Sequence, residues 1–107
     1  MKLECAEKNG LALFILEGEI SIDDLESLQD EILIALVDYE GIVFDLLNVT
    51  ECDVATLQLF YSTFLSTQKR EKKFKLLNPS RAFVETIELV GFSNKDLAGY
   101  LESSELS

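Results

Sequence analysis

The sequence predicts an α/β domain with a four-stranded mixed sheet and about four helices, in the order β-β-α-β-α-β-α-α. First, Asn9-Gly10 separates two strand-like runs, which is typical of a tight hairpin because both residues tolerate positive φ. Second, two stretches with apolar residues at three-to-four spacing are each followed by a short apolar run, the pattern of helices that alternate with buried strands. Third, a length of 107 residues suits a single domain, which we expect to span residues 1–107.

The amino-terminal hairpin is predicted from the alternation of its residues. Leu3 and Cys5 alternate with Lys2 and Glu4, which is the period of a strand with one buried face. The second arm, residues 11–16, is apolar on both faces, which suits a strand that is covered on each side or flanked by a neighbour in a mixed sheet.

The first helix is predicted to begin at Ser21 and to end near Gly41. Ser21 and Asp24 have the spacing of a capping box, in which a hydroxyl and a carboxylate bind free amides at the helix start. The apolar residues that follow at helical spacing are Leu25, Leu28, Ile32, Ala35, Leu36 and Tyr39. Residues 42–47 form a short apolar run with one acid, Asp45, and are predicted to be a buried strand joined by a right-handed crossover.

The second half of the chain predicts one more strand and three helices. Asp53 is placed to cap the second helix, whose apolar residues continue at helical spacing. Residues 73–77 are predicted to form the last strand, and Ser80 to cap a third helix that ends at Gly91. A second capping-box spacing at Ser93 predicts a short fourth helix.

The charge distribution disfavours two classes of partner. The formal net charge is −11, and residues 1–53 carry 14 of the 20 acids but only 2 of the 9 bases. A field of this sign repels nucleic-acid phosphates and anionic lipid surfaces. Most of the bases lie between residues 69 and 75, where we expect them to oppose the negative end of the second helix. Because no apolar run approaches the ~20 residues that span a bilayer, we expect a cytoplasmic protein that does not insert into membranes.

The sequence lacks the residues that form the common catalytic sites. The sequence has no histidine, which removes the usual proton shuttle and the usual metal ligand. Cys5 and Cys52 are too few for a disulfide framework and are predicted to be reduced core thiols. The 5 glycines are scattered and form no phosphate-binding loop. We therefore predict no catalytic residue, no metal and no cofactor; a small acid–base enzyme that uses Asp45 and Glu51 is a weaker alternative.

One segment in the middle of the chain has the form of a family signature. Residues 44–59 have the sequence FDLLNVTECDVATLQL. This segment resembles the signature of the STAS domains, named for sulfate transporters and anti-sigma-factor antagonists. That signature is a strand ending in Asp-Leu-Ser, a short loop, and an Asp-Ser-Ser-Gly-Leu or Asp-Thr-Ala-Gly-Leu turn that opens a helix. Residues 18–20, 77–80 and 88–91 resemble the flanking segments of the same family, and the predicted order of elements matches the STAS fold.

The resemblance implies a non-enzymatic protein-docking module in bacterial signalling, similar to an anti-sigma-factor antagonist. In the antagonists, the loop before the second helix and the exposed face of that helix bind a kinase-like anti-sigma factor or a chemotaxis-type protein. The residues expected at this surface are Asp45, Glu51, Asp53, Val54, Ala55, Thr56, Leu57 and Phe60. Their acidic and apolar character suits a partner with basic residues around its contact surface. The apolar residues of this set are equally consistent with the core of a two-sided layer, in which they would contact no partner.

The segment also departs from the family signature. In antagonists that are switched by a serine kinase, the residue after the Asp of the turn accepts phosphate; here that position holds Val54, which has no hydroxyl. The resemblance therefore implies that regulation at this position is lost. Thr56 replaces the glycine, and its hydroxyl is open to modification or to a hydrogen bond back to Asp53. The alternative function within the family is that of a STAS subunit of a membrane transporter complex of the lipid-asymmetry type.

Overall fold

The computed structural model describes residues 1–89 and confirms the predicted α/β class with a four-stranded mixed sheet. The elements are β1 (Lys2–Lys8), β2 (Leu11–Glu19), α1 (Ile22–Asp38), β3 (Gly41–Glu51), α2 (Val54–Lys69), β4 (Lys73–Leu77) and α3 (Arg81–Leu89). The fourth helix predicted from Ser93 lies outside the described residues. Within residues 1–89, no helix combines the length and the hydropathy that crossing a bilayer requires.

The strands lie in the order β1-β2-β3-β4, so that neighbours in the chain are also neighbours in the sheet. β1 and β2 are antiparallel, and their turn at Asn9 and Gly10 has φ angles of 55° and 83°, which confirms the predicted hairpin. The pairs β2–β3 and β3–β4 are parallel. Parallel neighbours need a crossover connection, and α1 and α2 supply one each.

The core lies between one face of the sheet and the three described helices. The strand residues in this core alternate along the chain up to the bulge of β3, after which Val49 follows Leu46: Ala12, Phe14, Leu16, Ile42, Phe44, Leu46, Val49, Phe74 and Leu76. Phe44 is central, with ring centroids 4.4 Å from Phe60, 5.6 Å from Phe14 and 5.9 Å from Phe74. This aromatic cluster joins β2, β3 and β4 to α2, so it fixes the position of α2 on the sheet.

β2 and β3 are both longer than predicted. The pairing continues from Glu17↔Asn48 to Glu19↔Glu51, with one register shift between Ile15 and Glu17 and another between Gly18 and Glu19. The shift from the pair Ile15↔Asp45 to the pair Glu17↔Asn48 means that β3 uses one more residue than β2 in this interval, which is the geometry of a bulge. As a consequence, two successive side chains of β3, Leu47 and Asn48, are both exposed.

α1 is capped at both ends, and the carboxyl-terminal cap is supplied by a distant residue. At its start, the Ser21 amide donates to Asp24 Oδ2 over 2.9 Å, as the capping-box spacing predicts. This hydrogen bond holds the pKa of the Asp24 carboxyl below its usual value. At the other end, Lys72 Nζ donates to the carbonyl oxygens of Leu36 and Tyr39. Lys72, one of the basic residues between positions 69 and 75, therefore neutralises the end of α1 and not the end of α2, as was predicted for these residues.

Candidate docking site

The site begins where β3 passes into α2. Asp53, in an extended conformation with φ −126°, caps α2, and its Oδ1 accepts a hydrogen bond from the Thr56 amide over 3.2 Å. This confirms the predicted cap. Further back on β3, Asp45 Oδ1 accepts a hydrogen bond from the Leu47 amide over 3.1 Å, which holds the bulge. One carboxylate thus holds the bulge within β3, and the other holds the first turn of α2.

The eight predicted contact residues differ in exposure: three are exposed, two are half-buried and three are buried. Glu51 and Asp53 are exposed, and Val54, the first residue of α2, is 44% exposed. Asp45 and Ala55 are half-buried. The exposed residues form a short acidic and apolar tip, Glu51, Asp53 and Val54, which we call the docking tip.

Thr56, Leu57 and Phe60 do not belong to that surface, and their prediction as contact residues is wrong for this conformation. Each is 0% exposed. The physical reason is that α2 packs against the sheet and against both other described helices, so most of its circumference is covered. Phe60, for example, stacks on Phe44 and also lies 5.7 Å from Phe83 of α3 between ring centroids. These residues belong to the core on which the docking tip rests.

Two exposed apolar residues near the docking tip, Leu47 and Leu65, were not predicted as site residues. Leu65 is 48% exposed and lies eleven positions after Val54, which places both on the same side of the helix. Gln58, which is exposed, and Tyr61, which is half-buried, lie between them; Val54, Gln58, Tyr61 and Leu65 are called the α2 stripe below. The excess of apolar residues around α2 was a signal for Leu65. Nothing in the sequence indicated Leu47, which is 61% exposed because of the bulge.

The two cysteines differ in environment, and one of the predictions about them is wrong. Cys52 is half-buried behind the docking tip, with its Sγ 3.6 Å from Thr86 Oγ1 on α3. Burial chiefly, and the Asp53 and Glu51 carboxylates in addition, raise the pKa of the Cys52 thiol, which disfavours a nucleophilic thiolate. Cys5, predicted to be a core thiol, is exposed because it lies on the edge strand β1.

The acidic surface continues from the docking tip to α3. A shallow depression between the end of β3 and α3 is lined by the carboxylates Glu51, Glu85 and Glu88, with Cys52 and Thr86 among its other residues. Among the described residues no lysine or arginine lines this depression, but Arg81 Nε lies 3.2 Å from Glu85 Oε2 and offsets that carboxylate. Glu51, Asp53 and Glu88 leave the tip and the depression net negative, so their electrostatic field favours a basic surface on the partner.

The Thr56 hydroxyl does not return a hydrogen bond to Asp53. Its oxygen is buried and has no hydrogen-bond partner in the described part of the chain, whereas the Thr56 amide does bind Asp53. With a side chain that is 0% exposed, Thr56 is inaccessible to a modifying enzyme unless the first turn of α2 moves.

The geometry disfavours the acid–base enzyme. Asp45 and Glu51 lie six residues apart on one strand, which separates their Cα atoms by roughly 20 Å. Two carboxylates that act on one glycosidic bond, for comparison, lie less than about 10 Å apart. Within residues 1–89, no cluster of three or more acidic or cysteine side chains is arranged to hold a metal ion.

Removing the α2 cap tests its contribution to the stability of the site. We expect Asp53→Ala to lower the free energy of unfolding by about 1 kcal/mol, because the Thr56 amide loses its acceptor. Urea denaturation followed by circular dichroism measures this. Asp53→Ser is the matched control, since serine is also a strong cap, and it is expected to stay close to the wild type. An equal loss in both variants would contradict the capping role.

Comparison with known proteins agrees with this architecture. The family model described as "Mlab, STAS domain" matches residues 11–101. Among solved structures, the unphosphorylated anti-sigma factor antagonist SpoIIAA is similar with a TM-score of 0.73 and 14% identity, over 92% of this chain and 97% of that one. An anti-sigma factor antagonist from Mycobacterium paratuberculosis has a TM-score of 0.73 and 22% identity, over 88% of this chain and 80% of that one.

A transporter domain has a similar fold. The STAS domain of a SulP transporter from Vibrio cholerae has a TM-score of 0.62 and 19% identity, over 94% of this chain and 75% of that one. No curated protein matches the sequence. At these identities the solved structures establish a shared fold alone, whereas the family model covers most of the sequence. On that match, which confirms the resemblance of residues 44–59, the chain belongs to the STAS domain family.

Proposed function

We propose that this domain is a non-enzymatic protein-docking module of bacterial signalling, similar in action to an anti-sigma-factor antagonist. Its contact surface consists of the docking tip and the exposed part of the α2 stripe. The observation that carries the proposal is the exposure of Val54 to solvent. It is an apolar side chain, 44% exposed, at the start of a capped helix and next to the exposed acids Glu51 and Asp53.

The surface has the composition of a contact between proteins. Val54 and Leu65 supply separate apolar contacts on one side of α2, and the acids of the docking tip lie at its start. Apolar anchors provide most of the affinity at protein interfaces, while complementary charge selects the partner and speeds association. The partner surface is therefore expected to carry a small apolar pocket with lysine or arginine around it.

The mode of regulation follows from the side chain at position 54. Antagonists that a serine kinase switches use a hydroxyl at the corresponding position, and valine offers no oxygen to phosphorylate. A phosphate there would add a charge of about −2 beside Asp53 and would place a hydrated, charged group where the contact is expected to be apolar. With Val54, docking is constitutive at this position and is controlled by the amount or the state of the partner.

The proposed partner is a kinase-like anti-sigma factor or a chemotaxis-type signalling protein in the cytoplasm. A STAS subunit of a transporter complex is the second candidate, because the family model carries the description Mlab and a SulP transporter domain shares the fold. Affinity purification from native cells followed by mass spectrometry separates the two. The first function requires a signalling regulator in the complex, and the second requires a transporter ATPase.

Titration of the purified partner with variants of this chain tests the surface itself. Val54→Gln is expected to weaken binding at least tenfold, about 1.4 kcal/mol, because it places a polar amide at an apolar anchor. Isothermal titration calorimetry measures the change. Val37→Gln is the matched control: Val37 is 72% exposed, lies on α1 outside the site, and should bind as the wild type does. Wild-type affinity for Val54→Gln would remove the docking tip from the interface.

A further inference from the structure

A second surface lies at the β1 edge of the sheet, in a groove between β1 and α1. The groove has a volume of about 230 Å³, and its lining includes Cys5, Glu7, Phe14, Glu31, Ile34 and Tyr39. None of these residues belongs to the docking tip or to the α2 stripe. The groove is called the β1–α1 groove below.

The groove exists because α1 does not cover β1. α1 packs against β3 and α2, toward the middle of the sheet, and leaves the helix-side face of the outer strand open. Cys5 and Phe14 are cross-strand partners on this face, and yet Phe14 is 2% exposed while Cys5 is exposed. Ile34, on the facing side of α1, is 55% exposed. Phe14, Cys5 and Ile34 therefore give the groove an apolar part.

The free edge of β1 runs along this groove. β1 has seven residues and pairs with β2 on one side, so its other side directs unpaired backbone N–H and C=O groups outward within the described part of the chain. Charged residues such as Glu4 and Lys8 on an edge strand discourage unspecific pairing, but they permit pairing with a strand of matching charge.

The negative charge of the groove favours a partner strand with basic residues. Glu7 and Glu31 line it from opposite sides, and no lysine or arginine lines it. Burial chiefly, and the Glu31 carboxylate in addition, raise the pKa of the Cys5 thiol, which agrees with a carboxylate that faces the strand across the groove. A basic side chain that entered here would meet the Glu31 carboxylate and that of Glu7, whose Oε2 also accepts a hydrogen bond from the Gly10 amide over 2.6 Å.

We propose that the β1–α1 groove binds an extended segment of a partner protein, with alternating apolar and basic residues, that pairs with β1 as a fifth strand. Backbone hydrogen bonds to the free edge of β1 provide affinity, as in other cases of strand addition. Because side chains alternate along a strand, the basic residues of such a segment all lie on the helix side, where their aliphatic stems pack on Cys5 and Ile34 and their charged ends reach Glu7 and Glu31. Its apolar residues lie on the opposite face of the sheet. The domain would then hold two protein segments at once, one at each surface.

A labelled peptide tests this directly on the full chain. The probe is a fluorescein-labelled peptide of about eight residues, the length of a strand, in which valine alternates with lysine. Its twin has glutamate in place of lysine. Fluorescence anisotropy is expected to show saturable binding of the lysine peptide and at least tenfold weaker binding of the glutamate peptide. Bound peptide is also expected to slow hydrogen exchange at the β1 amides and alkylation of Cys5, without slowing exchange in β4.

Two variants on neighbouring positions of α1 locate the binding. Ile34→Lys is expected to weaken binding of the lysine peptide at least tenfold, since it puts a like charge into the groove. Leu33→Lys is the matched control, with 53% exposure against 55% for Ile34 and no place in the lining of the groove. Circular dichroism checks that both variants are folded. The proposal is overturned by no binding, by equal binding of the twins, by equal losses in both variants, or by protection of β4.

Discussion

Replacing Phe44 with alanine is expected to lower the free energy of unfolding by about 3–5 kcal/mol. Phe44 is 0% exposed and its ring packs against Phe14, Phe60 and Phe74, which come from two strands and one helix. Truncation leaves a cavity that these three rings cannot fill without moving the elements that carry them. Since domains of this size are stable by about 5–15 kcal/mol, one substitution would remove a large part of the stability.

Urea denaturation followed by circular dichroism measures the loss. Leu47→Ala on the same strand is the matched control, because Leu47 is 61% exposed and its truncation is expected to change the stability by less than about 0.5 kcal/mol. Partner binding should survive Phe44→Ala in the fraction of molecules that stays folded. A loss below about 1 kcal/mol would mean that the aromatic cluster does not organise the core.

The fold was predictable because its signals are local. The Asn9-Gly10 turn, the Ser21 capping box and the Asp53 cap each depend on residues within three or four positions, and all three are present in the structure. The order of strands in the sheet follows from these elements, since a hairpin and two crossovers leave few arrangements. Long-range contacts are needed for the rest. One of them is the hydrogen bond by which Lys72 caps α1, since Lys72 lies 33 positions after its acceptor Tyr39.

The candidate site was predictable in part, and the division has a physical cause. The cap at Asp53 could be placed because it depends on residues within one helical turn, and Val54 was named through its position in the family signature. Leu57 and Phe60 could not, because helical periodicity shows which residues share a face but not which faces of α2 are covered. Leu47 is exposed through a bulge in β3, and the residue count of a bulge depends on the partner strand.

Gly41 is required by a close approach of two strands and not by its backbone conformation. It begins β3, is paired with Lys73 of β4, and has no positive φ. A Cβ at this position would lie 2.6 Å from the Lys73 carbonyl oxygen and 2.8 Å from Leu11 Cδ2. The oxygen belongs to the backbone of a paired strand, so it cannot move aside without disturbing the β3–β4 ladder.

Gly41→Ala is therefore expected to lower the free energy of unfolding by about 1–3 kcal/mol, and Gly41→Asn by more, because the larger side chain deepens the clash. Gly18 is the control, because there glycine is favoured by the backbone conformation and not by a lack of space. Its φ is +91°, and a Cβ there would meet nothing within 4 Å. At that position asparagine should cost less than alanine, since asparagine visits positive φ more readily. Urea denaturation of the four variants measures both orders. The same order at both positions would contradict the steric origin at Gly41, because only a clash grows with side-chain size.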